Sequence, residues 1–274
     1  MDAINKRNFI AAVVIALCLG PRVVPACAAL QDLHAQSATA VLARDFNDPD
    51  LSYLLLDENG QVIAQRWEHP DREVPIGSLV KPFIAVAYGE THRTFPVFRC
   101  TGKKTCWLPR GHGVLQIRDA IALSCNSYFH QLIAGAGPDF APALKKYPVR
   151  FASNGSAQGW ATPLLLAEAY LELTRHPQDA AVIPVLQGMA LSAHKGTGKA
   201  AGEVLLHISP MAKTGTAPCT HPKKAPGDGF ALVMSPADHP RAILLVRLHG
   251  RPGFMAAGIA GRMIAAVEGN EAGK

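Results

Sequence analysis

Charge and aromatic rings are both scarce in this sequence: 18% of its 274 residues are Asp, Glu, Lys or Arg, and 7% are Phe, Trp or Tyr. It has no block of like charge, no low-complexity tract and no internal repeat. Together with a hydrophobic fraction of 49%, these absences exclude a disordered chain and a repeat architecture. Long apolar runs are lacking too. The segment Phe9–Gly20 is shorter than the roughly 20 residues a membrane helix needs, and Pro21 and Arg22 stop its extension. The formal charge is +6 and the pI about 9.1, but the basic residues are scattered. The densest runs, Lys103-Lys104 and Lys223-Lys224, lie in turn-like surroundings. This is a solvated basic surface, and no nucleic-acid partner is expected. Gly196-Thr-Gly-Lys199 lacks the upstream glycine and the Ser or Thr of a phosphate loop, since Ala200 follows. No cofactor and no metal are expected.

The first residues read as an export signal. Lys6 and Arg7 precede the apolar Phe9–Gly20 run, and Ala26-Cys27-Ala28 offers small residues for cleavage. Residues 1–28 are therefore expected to be a signal peptide or a short N-terminal anchor, with Cys27 as an alternative lipidation point. Residues 29–274 are expected to form one domain, because no linker divides them. The expected location is the periplasm or the outer face of the inner membrane. Of six cysteines, at 18, 27, 100, 106, 125 and 219, two belong to the leader. An oxidising compartment makes Cys100–Cys106, around a short Thr-Gly-Lys-Lys-Thr loop, the expected disulfide. Zinc would need two more ligands, with only His112 close by in sequence. Cys125 reads as a packed small residue.

Leu51–Trp67 holds two apolar runs around Asn59-Gly60, the signal of an antiparallel hairpin. Ser78–Tyr88 reads as a buried helix, residues 89–113 as loop, and Val114–Ile133 as helical. Thr162-Pro163 suits the cap and first position of a helix reaching Leu173. Val182–Ser192 is a further helix. Met211–Ala217, Phe230–Met234 and Ala242–Leu248 are strand-like, and Gly258–Val267 closes as a helix. Strands at both chain ends with helices between them predict an α+β fold: one antiparallel sheet built from both termini and flanked by helices.

Three short motifs stand in order: Ser78-Leu-Val-Lys81, Ser124-Cys-Asn126 and Lys213-Thr-Gly-Thr216. Ser and Lys three apart share a helix face. A serine hydroxyl needs a base, and a lysine can serve once burial lowers its pKa. Val80, Phe83, Ile84 and Val86 supply apolar surroundings. At a helix N-terminus Ser78 would also meet backbone N–H groups that favour developing negative charge. Ser124 could relay a proton and the Asn126 amide could hold a substrate amide. Gly215 lets a ligand approach the strand, where Thr214 and Thr216 could bind a carboxylate and Lys213 add charge.

These motifs, together with Phe98–Phe129 (Cys, Gly, Cys-Trp, Gly-His-Gly, then Ser-Cys-Asn-Ser-Tyr-Phe), Gln158–Leu164, Gly188-Met189, Gly196-Thr-Gly198 and Ala212–Ala217, resemble the transpeptidase domain of penicillin-binding proteins. The likeness is greatest to the class B, monofunctional kind, and it runs from about Ser52 to about Ala265. The resemblance implies the serine β-lactamase/penicillin-binding fold. It also implies an acyl-enzyme on Ser78, with Lys81 as base, Ser124 and Asn126 as the second motif, and Lys213, Thr214, Gly215 and Thr216 binding substrate. The N–H groups of Ser78 and Thr216 would form an oxyanion hole. The implied partners are a peptidoglycan stem peptide ending in D-Ala-D-Ala, a β-lactam, and cell-wall proteins. Two departures from the family pattern are the compressed spacing between motifs and the absence of a large module between the leader and the first strand. They leave the acyl acceptor open between an amine (transpeptidase) and water (D,D-carboxypeptidase). A β-lactamase and a non-catalytic scaffold on the same fold are the alternatives.

Overall fold

A computed structural model describes residues 26–102, 105–152, 157–220 and 226–269, with side chains from residue 33 onward. The leader through residue 25 and both lysine pairs, Lys103-Lys104 and Lys223-Lys224, lie outside the described residues. Among the described residues no helix is long and apolar enough to cross a membrane.

The chain begins with helix α1 (Ala26–Asp45) and the hairpin β1 (Leu51–Leu56) and β2 (Val62–Arg66). The hairpin turns at Gly60, whose φ of 85° suits glycine. Strand β3 (Val74–Pro75) leads into a 3-10 turn at Gly77–Val80 and then α2 (Lys81–Thr91). The segment expected to be loop carries a short ribbon, β4 (Phe98–Cys100) paired with β5 (Gly113–Leu115). Next come α3 (Ile117–Ala122), α4 (Asn126–Ala134), α5 (Phe140–Leu144), β6 (Arg150–Phe151) and β7 (Gly159–Ala161). Helix α6 (Pro163–Arg175) starts as expected, with Thr162 Oγ1 accepting from the Leu165 N–H at 3.2 Å. Then follow α7 (Ile183–Lys195), α8 (Lys199–Val204), strands β8 (Met211–Ala217), β9 (Asp228–Ser235) and β10 (Ala242–Leu248), and α9 (Gly253–Gly269).

The main sheet has the order β2-β1-β10-β9-β8, antiparallel throughout. The first two strands thus join the last three, as the α+β expectation held. The sheet is a middle layer, covered on both faces. Side chains alternate across a strand, so Leu54, Leu56, Phe230, Leu232 and Leu245 enter the core beneath α2, α3, α4, α6 and α7. Their neighbours Tyr53, Leu55, Ala231, Val233 and Val246 enter a second core with α1, α8 and α9. That is why β1 and β10 read as nearly unbroken apolar runs. β8 is an edge strand, and its free side faces the 3-10 turn that carries Ser78.

One expected helix is two. The apolar rhythm from Val114 to Ile133 hides a break after Ala122, where Ser124 takes φ of 49°, the left-handed region. The Ser124 N–H still bonds Ile121 O at 3.2 Å and that of Cys125 bonds Ala120 O at 3.0 Å. The chain therefore turns tightly before α4 starts again at Asn126.

Candidate active site

Four elements meet at one place: the Gly77–Val80 turn, the first residue of α2, the α3–α4 turn and the edge strand β8. Gly77 and Gly215 let them meet. A Cβ on Gly215 would lie 2.9 Å from Ile76 O and 3.3 Å from the Ser78 nitrogen. Gly77 has φ of 51°, and a Cβ there would lie 2.4 Å from Thr216 O. The strand therefore lies directly against the turn, and the backbones of Ser78 and Thr216 are neighbours. Ser78 is half-buried, while Thr216 is exposed on the strand.

Lys81 is wholly buried. Its Nζ donates to Asn126 Oδ1 at 2.6 Å and to Ser124 O at 2.7 Å, with Ser124 Oγ at 3.4 Å. Lys213, also wholly buried, donates to Ser124 Oγ at 2.8 Å and to Thr214 O at 2.7 Å. Ser124 is thus the shared contact of two lysines. No carboxylate hydrogen-bonds either of them among the described residues. Burial without a counter-charge favours the neutral amine. It pushes Lys81 down to about 7, with the Cys125 and Cys106 thiols pulling the other way. Lys213 is driven well below its ordinary value by burial first and by the charge of Lys81 second. The site holds two lysines that can act as neutral bases or relays near pH 7. Ser78 Oγ has no hydrogen bond among the described residues, and a loose nucleophile–base pair is common before substrate binds.

The expected site residues Ser78, Lys81, Ser124, Asn126, Lys213, Thr214, Gly215 and Thr216 therefore converge. Two contributors were not read from the sequence. Thr197 accepts from Thr214 Oγ1 at 2.6 Å, fixing the start of the Thr-Gly-Thr stretch. It lies in Gly196-Thr-Gly198, whose glycines were the available signal. Tyr170 donates from its hydroxyl to Leu79 O at 2.7 Å from deep in the core, anchoring the serine turn. Nothing in the local sequence of α6 marks that bond. Tyr170→Phe strands the Leu79 carbonyl in a dry site, and the expected loss is about 1–2 kcal/mol of stability, read as a lower urea midpoint at unchanged slope.

The expected Cys100–Cys106 disulfide is not formed. Both are free thiols, as is Cys125. Tertiary packing accounts for the difference. Cys106 Sγ turns toward Cys125 Sγ at 3.9 Å and His112 Nδ1 at 3.5 Å, and Cys100 Sγ lies 3.6 Å from the same ring nitrogen.

No protein-family model and no curated protein sequence matches the chain. Solved structures do match. The transpeptidase domain of the FtsI4 D,D-transpeptidase of Legionella pneumophila is 20% identical, over 87% of this chain and 96% of that one, with a TM-score of 0.64. The corresponding domain of Burkholderia pseudomallei penicillin-binding protein 3 is 13% identical over 89% and 93%, with a TM-score of 0.66. Helicobacter pylori PBP2, solved in complex with MreC, is 14% identical with a TM-score of 0.70; the match covers 87% of this chain and 62% of that one. At these identities the likeness is one of fold, and the chain has the fold of penicillin-binding transpeptidase domains.

Proposed function

From that fold and that cluster, we propose that the chain is a serine acyl-transferase acting on D-Ala-D-Ala peptides of peptidoglycan, and that it binds penicillin covalently. The observation carrying this reading is Lys81, three residues after Ser78, buried with no carboxylate partner among the described residues and held by Ser124 and Asn126. Ser78 Oγ attacks the penultimate carbonyl and gives up its proton to neutral Lys81. The backbone N–H groups of Ser78 and Thr216 receive the oxyanion. The tetrahedral intermediate collapses by breaking the peptide bond. The terminal D-Ala amine leaves with a proton relayed through Ser124, leaving an ester on Ser78. Thr214, Thr216 and Lys213 bind the substrate carboxylate. An amine or water then takes the acyl group.

Deacylation is proposed to be slow toward β-lactams, because no carboxylate hydrogen-bonds this cluster among the described residues. A β-lactamase would need such a base or an equivalent one. The proposed location is the periplasm or the outer face of the inner membrane, on the strength of the expected export signal alone. Because the H. pylori fold neighbour was solved with MreC, cell-wall assembly proteins are the proposed partner class.

Intact-mass spectrometry tests the reading. The expected result is one stoichiometric β-lactam adduct per chain, long-lived enough to isolate, together with release of D-alanine from a D-Ala-D-Ala peptide. A folded chain that takes no adduct and releases no D-alanine overturns it in favour of a scaffold, and rapid nitrocefin turnover overturns it in favour of a β-lactamase.

A further inference from the structure

A charged residue stands in β10 where the strand's rhythm calls for a core residue. Ile243 and Leu245 share one face of β10 and enter the core beneath α2. Arg247 continues that row of side chains and is only 8% exposed. Its backbone pairs with Ser52 of β1 and Phe230 of β9, and Phe230 pairs in turn with Gly215. Arg247 therefore lies two strands from the active-site strand, about 10 Å at the usual strand spacing. Its side chain turns the other way, toward β1. Nη2 donates to Ser52 Oγ at 3.0 Å, and the guanidinium lies over the Trp67 ring, 5.1 Å from its centroid.

That single bond to Ser52 leaves most of the guanidinium unsatisfied. Nε is buried with no partner, and no ion pair to Arg247 occurs among the described residues. Asp228 is engaged elsewhere: its Oδ1 accepts from His249 Nδ1 at 2.7 Å and from the Gly250 N–H at 3.4 Å. Burial lowers the pKa of Arg247, with the charge of Asp228 chiefly opposing it, yet a guanidinium stays protonated throughout the neutral range. A buried, charged fork with an idle donor is matched by a carboxylate. Arg247 lines a cavity of about 560 Å³, within the roughly 300–1,000 Å³ of small-molecule sites. The second guanidinium there, Arg66, is occupied by the carbonyls of Phe46, Asn47 and Asp48 at 2.9, 3.3 and 2.7 Å. Asp50 and Glu68 line the same cavity, and the Glu68 side chain is 74% exposed at its rim. A bare anion would meet these carboxylates, and a bare cation would meet the guanidinium groups. A molecule carrying both charges complements both.

We propose that this cavity binds a small amino-acid zwitterion, its carboxylate on the fork of Arg247 and its ammonium toward Glu68. Trp67 is the wall that holds the guanidinium plane in place for the carboxylate. D-alanine, the leaving group of the proposed reaction, is a ligand of this class that the protein would itself release. That choice of probe rests on the proposed function; the site rests on Arg247 and its cavity.

The full chain, with nitrogen-15 in its tryptophan indoles, is titrated with D-alanine and followed by NMR, the Trp67 signal being assigned with Trp67→Phe. The Trp67 signal is expected to shift and saturate with a Kd in the millimolar range or tighter, and the melting temperature to rise with D-alanine concentration. Propionate and ethylammonium, with one charge each, should bind at least about tenfold more weakly. Arg247→Gln should lose the shift. Because that buried substitution can cost the fold, Glu68→Gln on the exposed rim is the second variant. It should weaken D-alanine about threefold to fivefold and leave propionate no weaker. A folded wild type whose Trp67 signal never moves overturns the site, and so does a shift confined to Trp107 or Trp160. Inorganic phosphate binding as tightly as D-alanine overturns the zwitterion in favour of a plain oxyanion. Ser78→Ala should bind D-alanine as the wild type does. Binding is thus read without any acylation, so the failure of one proposal is separable from that of the other.

Discussion

Ser78→Ala is expected to abolish covalent labelling by a fluorescent penicillin, with a loss of at least about 10³-fold, while the chain folds as before. The reasoning starts from what the hydroxyl does not do. Ser78 Oγ makes no hydrogen bond among the described residues and sits half-buried on the 3-10 turn. Its removal opens no core cavity and strands no partner, so stability should stay within about 0.5 kcal/mol. The backbone that would make the oxyanion hole is untouched, because the contact of β8 with the turn depends on Gly77 and Gly215. The variant should therefore still bind a β-lactam reversibly but form no ester. Denaturing gels read the ester, and circular dichroism reads the fold. Equal labelling of wild type and variant would move the nucleophile elsewhere, with Ser124 the next hydroxyl in line.

The three motifs were legible because each is local. A serine and a lysine three residues apart share a helical face whatever the fold, and Lys213-Thr-Gly-Thr216 announces a strand a ligand can approach. The sheet was legible from Asn59-Gly60 and from the apolar runs at both ends of the chain. What the sequence could not carry was convergence. Ile117, Ile121 and Leu132 keep one apolar rhythm through the α3–α4 break, because the residue that turns the chain is a serine rather than the glycine that usually marks a left-handed position. Sequence proximity points to Cys106 as the partner of Cys100. Cys125, however, is brought to Cys106 only when α4 docks on the β4–β5 ribbon. The Tyr170 bond to Leu79 spans 91 positions and leaves no local trace.

The rate of acylation is expected to rise about tenfold per pH unit below about 7 and to level above it, and Lys81→Met is expected to lower the plateau by about 10²–10⁴-fold. The base must be the neutral amine, and burial puts its pKa near 7. Below that value the neutral fraction, and with it the rate, grows with pH; above it the amine is already free. An ordinary lysine, titrating near 10.4, would keep the rate climbing through the whole neutral range. Stability should follow the same proton. Between about pH 7 and 10 the unfolded chain holds a proton on Lys81 that the folded chain has released, so stability rises with pH across that window. Lys213, lowered by burial in the same way, adds to that slope. Lys81→Met keeps most of the buried aliphatic stem but leaves Ser124 O and Asn126 Oδ1 without their donor. It should remove the inflection in the rate near pH 7 along with the plateau, and flatten the stability slope by one proton. Stopped-flow acylation from pH 5 to 9, paired with urea titrations over the same range, measures both. A rate profile with no inflection near 7 in the wild type would take the role of base away from Lys81 and leave Lys213, through Ser124, as the group to test next.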